Sequence, residues 1–229
     1  KTIGLIGGMS WESTAEYYRI MNQAVKEKLG RSHSAKILLY SIDFQELADF
    51  QHAGQWPEAN QIVMGAAKRL EKGGADFVLI GANTMHIAYE DVKKEISIPV
   101  IHVGDAAAEV IKKSNMKRVG LLGTRFVMEK DFYIDSLRRH GLEIIVPAEP
   151  DRIIVHDIIY KELVNGILAE PSKKEFLRII ASLKEQNAQG VILGCTEIPL
   201  LIHPDDCSIP LFDTTAIHAL KAVDLAMQD

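Results

Sequence analysis

The segment "KTIGLIGG" (residues 1–8) is repeated as "KRVGLLGT" (residues 117–124), at an offset of 116 residues. Each copy is typical of a short apolar strand ending in glycine, where a backbone turns tightly or approaches a ligand. Two further pairs have similar offsets: "LEKGGADFVLIGAN" from Leu70 matches "LKEQNAQGVILGCT" from Leu183 at 113, and "SIPVIHVGDAA" from Ser97 matches "SIPLFDTTAI" from Ser208 at 111. These nearly equal offsets indicate that an α/β half is duplicated.

Short β-rich apolar runs alternate along the chain with longer segments of helical spacing. The runs cover residues 3–6, 36–42, 76–80, 98–102, 118–122, 143–146, 190–193 and 209–212. This alternation predicts an α/β fold, and the duplication predicts two pseudosymmetric α/β lobes with mostly parallel sheets. We expect one lobe from residues 1–97 plus 213–229 and the other from 98–212. Because ligands bind beyond the carboxyl ends of parallel strands, we expect the active site in the cleft between the lobes.

The composition limits the classes of function. The 229 residues are 47% hydrophobic and 25% charged, which is typical of a globular chain, and the net charge of −5 comes without a basic run. We therefore expect neither nucleic acid nor an acidic membrane as a partner. No apolar run approaches the roughly 18–20 residues that span a bilayer, and the opening run is too short for a signal peptide, so the expected location is cytoplasmic.

A cysteine stands where the second copy's strand ends in "LGCTEIP" (residues 193–199), whereas the first copy, "LIGANTMH" (residues 79–86), has Ala82 there. Cys195 is followed by Thr196 and Glu197. Because a thiol near a helix N-terminus has a lowered pKa, we expect Cys195 to be partly ionised and able to accept or donate a proton. The other cysteine, Cys207, has no C-x-x-C partner and no reactive neighbour, and we interpret it as structural.

The start of the first helix is predicted from "SWESTAEYY" (residues 10–18). Ser13 followed by Glu16 has the spacing of a capping box, so we expect Ser13 to be the N-cap.

The segments "IGLIGGMSWEST", "NTMH" and "GCTEIPLL" resemble the aspartate/glutamate racemase family, and the likeness extends over essentially the whole chain. The resemblance implies racemisation without pyridoxal phosphate or metal, with two cysteines facing the α-carbon of an amino acid from opposite sides. Carried onto this sequence, the second cysteine is Cys195 and the position of the first is Ala82. The partner is then a small amino acid, and a homodimer is one of the oligomeric states left open.

Residues of the duplicated turns, of the glycine loops and of the polar loop "DFQHAGQW" (residues 49–56) after the second strand are candidates for binding this substrate. The candidates are Met9, Ser10, Gln51, Asn83, Thr84, Thr124, Thr196 and Glu197. Family members specific for acidic amino acids hold the distal carboxylate with basic side chains, one of which aligns with Val164. Gln51, Arg125 and Lys161 are the alternatives, and aspartate and glutamate are the expected substrates.

Alanine can neither take nor give a proton, and four interpretations of Ala82 stay open. The chain is a laboratory variant in which the proton-transfer residue was replaced, and in one subgroup of the family that residue is threonine. Alternatively, it is a natural one-base member. Alternatively, it is a one-cysteine decarboxylase or isomerase relative, or Thr84 or a water held by His86 substitutes for the missing group. A catalytically silent homologue that only binds an amino acid is the hypothesis from a different class.

Overall fold

The computed structural model describes residues 1–228, which form an α/β fold with two four-stranded sheets. The strands are β1 (Ile3–Gly7), β2 (Ile37–Ser41), β3 (Phe77–Ile80), β4 (Val100–Ile101), β5 (Arg118–Gly123), β6 (Glu143–Ile145), β7 (Val191–Gly194) and β8 (Leu211–Asp213). All eight predicted strands are present, and every pairing between them is parallel.

Helices connect these strands and cover the sheets. They are α1 (Trp11–Leu29), α2 (Phe44–His52), α3 (Trp56–Lys72), α4 (Tyr89–Glu95), α5 (Val103–Lys113), α6 (Arg125–Glu129), α7 (Asp131–Arg139), α8 (Glu149–Lys161), α9 (Glu170–Glu185), α10 (Ile198–Leu201) and α11 (Thr214–Ala226). Three short 3₁₀ turns lie at Thr84–Ala88, Leu163–Asn165 and Pro204–Asp206. Within residues 1–228, no helix has the length and apolar character needed to cross a membrane.

The two sheets have the same strand order and the same register. The order is β2-β1-β3-β4 in one sheet and β6-β5-β7-β8 in the other. Gly4 is the register partner of Val78, and the sequence offsets of 116 and 113 residues map this pair onto Gly120 and Val191, which are again partners. The duplication seen in the sequence is therefore reproduced in the topology and register of each sheet.

The chain divides into two compact units. One contains residues 1–103 and the chain from His218 onwards, and the other is Gly104–Ile217. The C-terminal helix α11 thus supplies residues to the first unit, although that unit begins at the opposite end of the chain. The two units divide at 103/104 and 217/218, and the lobe boundaries at 97/98 and 212/213 stay a prediction from the sequence.

The sheet of the first unit is buried on both faces, as parallel sheets usually are. Successive residues of a strand point to opposite faces. Accordingly, Leu5 and Leu79 pack in a core with α1 and α11, while Ile6 and Ile80 pack in a core with α2, α3 and α4.

The first helix begins earlier than the sequence predicted. Helix α1 starts at Trp11, and its N-cap is Ser10, whose hydroxyl accepts the backbone N–H of Ser13 at 3.4 Å. Ser13 lies within the helix and donates its own hydroxyl to the Ser10 carbonyl at 3.0 Å, while Glu16 binds Arg19. The capping-box prediction was therefore wrong by three residues. Both residues are serines, which are favourable N-caps, and the helix uses the earlier one.

Candidate active site

The turn that begins at Ala82 leaves the sheet beside the glycine loop of β1. Ile6 and Ile80 are register partners, so the two loops start next to one another at the carboxyl edge of the sheet. Gly81 donates its N–H to the Ile6 carbonyl at 2.9 Å, and a Cβ on Gly81 would lie only 2.8 Å from that oxygen. This close approach requires glycine. The following residues Ala82, Asn83 and Thr84 are all buried.

The glycine loop is folded tightly against the start of α1. The Thr14 hydroxyl accepts the Gly8 N–H at 2.7 Å and donates to the Ser10 carbonyl at 2.8 Å. Gly8 has a φ of +88°, and a Cβ on Gly7 would lie 2.5 Å from the Thr14 methyl group, so neither position accepts a larger residue without movement. Thr14, which the sequence analysis did not select, therefore fixes the loop that carries Met9 and Ser10.

Met9 and Gln51 pack near the Ala82 turn. Met9 belongs to the same buried cluster as Ala82 and Met85. Gln51 is 3% exposed and donates its amide N–H to the Met85 sulfur at 3.0 Å. It was expected in the polar loop after the second strand, but it lies inside helix α2, which begins after its N-cap Asp43 and ends at His52.

His86 uses both ring nitrogens to bind the backbone. Nδ1 lies 2.8 Å from the Ala82 carbonyl oxygen, and Nε2 accepts the N–H of Val103 at 3.0 Å. With both nitrogens engaged, His86 does not offer the water site that the sequence left open as a replacement for the missing base.

In the second unit, Cys195 follows the central strand β7. Gly123 and Gly194 are register partners, so Thr124 and Cys195 leave adjacent strands at the same edge of their sheet. The Thr124 hydroxyl accepts the Val127 N–H at 3.3 Å and caps α6. Thr124 thus repeats the role of Ser10, since each hydroxyl caps the helix that follows its glycine loop.

The Cys195 thiol donates a hydrogen bond to a buried carboxylate. Its Sγ lies 2.9 Å from Oε2 of Glu197, and the Thr196 hydroxyl donates to the same oxygen at 2.8 Å. Cys195, Thr196 and Glu197 are only 7%, 5% and 3% exposed. The three consecutive residues therefore form one hydrogen-bonded group, shielded from water.

Burial and the Glu197 charge raise the pKa of the Cys195 thiol well above its ordinary value. Backbone hydrogen bonds from Glu197 and Thr196 act in the opposite direction but are outweighed. The expectation of a partly ionised thiol was therefore wrong, because the sequence shows a neighbouring carboxylate without showing that it is buried against the sulfur. At neutral pH Cys195 is a protonated acid whose proton points to a carboxylate acceptor.

Tyr160 is a functional candidate that the sequence analysis missed. Burial raises the pKa of its phenol, and electrostatic interactions with Cys195 and Glu197 raise it further, which places the phenol near this acidic pair. Its ring also contacts His156, with the ring centroids 4.7 Å apart. His156 and Tyr160 are four residues apart on α8 and so share a helix face, which is the only signal in the sequence that connects them.

The two basic candidates for binding a distal carboxylate already have anionic partners. Arg125 is paired with Glu129 at 3.3 Å, and Lys161 with Asp157 at 2.8 Å. Both basic side chains are largely exposed. Arg125 lines a cavity of about 400 Å³, together with Phe126, Glu129, Lys130 and His156.

Comparison with known proteins identifies the family. The model of the Asp/Glu/Hydantoin racemase family matches residues 6–222, and the chain belongs to this family. Over 96% of both chains it is 24% identical to the broad specificity amino-acid racemase RacX of Bacillus subtilis (strain 168). Membership supports an amino-acid racemase activity, that of an isomerase.

Two solved structures resemble the whole chain. A proposed Asp/Glu racemase from Yersinia pestis is 48% identical with a TM-score of 0.92. An aspartate racemase homologue from Pyrococcus horikoshii OT3 is 38% identical with a TM-score of 0.86. Each alignment covers 100% of both chains, so the α/β fold predicted from the sequence is the fold of this family.

Proposed function

We propose that this protein acts on the α-carbon of aspartate or glutamate by proton transfer without a cofactor, with Cys195 as the reacting acid and base. The hydrogen bond from the Cys195 thiol to the buried Glu197 carboxylate carries the proposal. A lone structural cysteine has no need of a buried carboxylate partner, whose desolvation is costly. A proton-transfer residue does need one.

The pair can exist in two forms that carry the same total charge. In one, Cys195 is a thiol and Glu197 a carboxylate. In the other, the proton has moved to Glu197 and left a thiolate. The thiolate then takes the substrate α-proton, becoming a thiol again and leaving a carbanion whose charge spreads into the substrate carboxylate. Donors such as Asn83, Thr84 and Thr196 would stabilise that charge.

Racemisation requires a second proton-transfer group on the opposite face of the α-carbon. In the proposed two-base scheme, position 82 supplies that group. With alanine at position 82, a carbanion formed by Cys195 is reprotonated by Cys195. The chain therefore exchanges the α-proton of one enantiomer and retains its configuration.

The acidic substrate rests on the resemblance to aspartate and glutamate racemases. Val164 replaces a basic residue of members specific for acidic amino acids, and the relative RacX is named for broad specificity. Amino acids with uncharged side chains therefore belong in the same assay as aspartate and glutamate.

Isotope exchange tests the proposal directly. Each enantiomer of aspartate and glutamate is incubated with the protein in heavy water, and loss of the α-proton is followed by NMR. We expect exchange in a single enantiomer, loss of exchange in Cys195→Ser, and unchanged exchange in the matched control Cys207→Ser.

Restoring the missing group tests the role of position 82. Ala82→Cys should exchange both enantiomers and racemise them, because general acid–base catalysis contributes about 10²–10⁴-fold. Ala82→Thr should gain less, unless threonine is the normal residue of this lineage. Chiral chromatography measures the turnover.

Ala82 itself favours two second candidates, a one-sided decarboxylase or isomerase relative and a protein that only binds an amino acid. A binder would show saturable binding without exchange in the parent and the Ala82→Cys variant, and this result would end the racemase proposal. A one-sided decarboxylase would release carbon dioxide from a malonate-type substrate and produce a single enantiomer.

A further inference from the structure

His86 is held in one protonation state by its two hydrogen bonds. The backbone N–H of Val103 can only donate, so Nε2 of His86 is the unprotonated acceptor of that 3.0 Å bond. The Ala82 carbonyl can only accept, so Nδ1 carries the proton and donates it over 2.8 Å. The imidazole is therefore neutral, in the Nδ1–H form, and is buried at 2% exposure.

The bond to Ala82 orients the peptide that leads into the turn. Because the peptide group is planar and trans, fixing the Ala82 carbonyl also fixes the Asn83 N–H, which points the opposite way. The backbone N–H of His86 donates a 3.1 Å hydrogen bond to the Asn83 carbonyl within the same turn. A single residue thus holds both ends of the segment that contains the first proton-transfer position.

The bond to Val103 holds the chain where it leaves the first unit. Val103 begins helix α5, and the division between the units falls immediately after it. Two residues earlier, the Ile101 carbonyl accepts a 2.9 Å bond from Nε2 of His218, the residue at which the chain returns to the first unit. The exit segment from Ile101 to Val103 is therefore bound by two imidazoles, whose ring centroids lie 5.8 Å apart.

We propose that His86 is a positioning residue that couples the Ala82 turn to the exit segment Ile101–Val103. A shift of the exit segment would pull on His86 Nε2, and the rigid ring would transmit that shift through Nδ1 to the Ala82 carbonyl. The proposal rests on the proposed function only in making the Ala82 turn part of the active site. The coupling itself rests on the two hydrogen bonds of the His86 ring.

Two amide substitutions separate the two bonds. In His86→Asn, the side-chain amide lies near the position of Nδ1 and can still donate to Ala82, but it cannot reach Val103. In His86→Gln, the longer side chain places an acceptor near the position of Nε2, so the Val103 bond is kept and the Ala82 bond is lost.

Amide hydrogen exchange and imidazole NMR test the coupling without reference to activity. We expect the parent to show His86 as the Nδ1–H form at neutral pH. His86→Asn should accelerate exchange at the Val103 amide, and His86→Gln should accelerate it at the Asn83 amide and at the backbone amide of residue 86. Equal exchange in both variants, or an Nε2–H or doubly protonated His86 in the parent, would overturn the proposal.

Kinetics in the Ala82→Cys background measure what the positioning does for catalysis. We expect His86→Gln to lose up to about tenfold in kcat, the rate factor that corresponds to one hydrogen bond, with little change in KM. His86→Asn should retain more of the parent kcat. The matched control is Tyr17→Phe, which removes the 2.9 Å bond between Tyr17 and His218 in the same cluster without touching Ala82 or Val103.

The outcomes separate the two proposals. If Ala82→Cys never racemises and amide exchange still follows the expected pattern, the proposed function fails and the positioning role of His86 stands. If Ala82→Cys racemises but His86→Gln and Tyr17→Phe lower kcat equally, His86 acts only through general stability and the positioning proposal fails.

Discussion

The burial of His218 predicts that the folded protein loses stability in mild acid. Its side chain is fully buried, Nε2 donates to the Ile101 carbonyl, and Nδ1 accepts the Tyr17 hydroxyl. Burial is the main cause that lowers the pKa of His218 from 6.5 to about 3. A proton on Nδ1 would remove the acceptor of the Tyr17 bond and place a charge in the core.

The direction of the pH effect on folding stability follows from the lowered pKa of His218. Below pH 6.5 the unfolded chain takes up a proton that the folded chain resists, so the stabilisation is complete above pH 6.5 and is lost as the pH falls towards 3. Between those values each pH unit costs about 1.4 kcal/mol. From pH 7.5 to pH 5 the loss attributable to His218 is about 2 kcal/mol.

Urea unfolding at pH 7.5 and at pH 5 measures this loss. We expect His218→Gln to be less stable than the parent at pH 7.5, but to lose about 2 kcal/mol less on acidification, because glutamine does not titrate. His33→Gln, at an exposed position, is the matched control and should keep the parent's pH dependence. A His218→Gln variant that loses as much stability as the parent would refute the reasoning.

Three further predictions concern the sites themselves. Glu197→Gln removes a negative charge that raises the pKa of Cys195, so the thiol should titrate at lower pH, as measured by thiolate absorbance in a Cys207→Ser background. The α-proton exchange should slow, because an amide cannot accept the proton. An unchanged thiol titration would contradict the pairing. Gly7→Ala should cost about 1–3 kcal/mol in urea unfolding because its Cβ would meet the Thr14 side chain, and Thr14→Ala should recover part of that loss in the double variant. Thiol alkylation at neutral pH should label Cys207 faster than Cys195, because Cys207 is the more exposed of the two, and mass spectrometry showing the reverse order would argue against a buried, protonated Cys195.

The sequence by itself determined the fold class and the duplication. Strand runs such as 118–122 and 190–193 were identified because alternation and β-rich composition are local properties of the chain. The register found in the structure agrees with the offsets of 113 and 111 residues, since Val78 pairs with Val100 and the corresponding residues Val191 and Leu211 pair in the other sheet. These strands could be recognised from the sequence because the corresponding strands are buried in both copies and therefore have the same apolar pattern.

Only the tertiary structure decided the chemistry at Cys195 and the role of His86. The sequence places Glu197 two residues from Cys195, but the direction of the thiol pKa depends on burial and on the 2.9 Å contact between the side chains. Likewise, the sequence left His86 open as the holder of a water that substitutes for the missing base. Val103 lies 17 positions further along the chain, and only folding brings it to the His86 ring. Burial and long-range hydrogen bonds depend on the packing of distant segments, which no local pattern encodes.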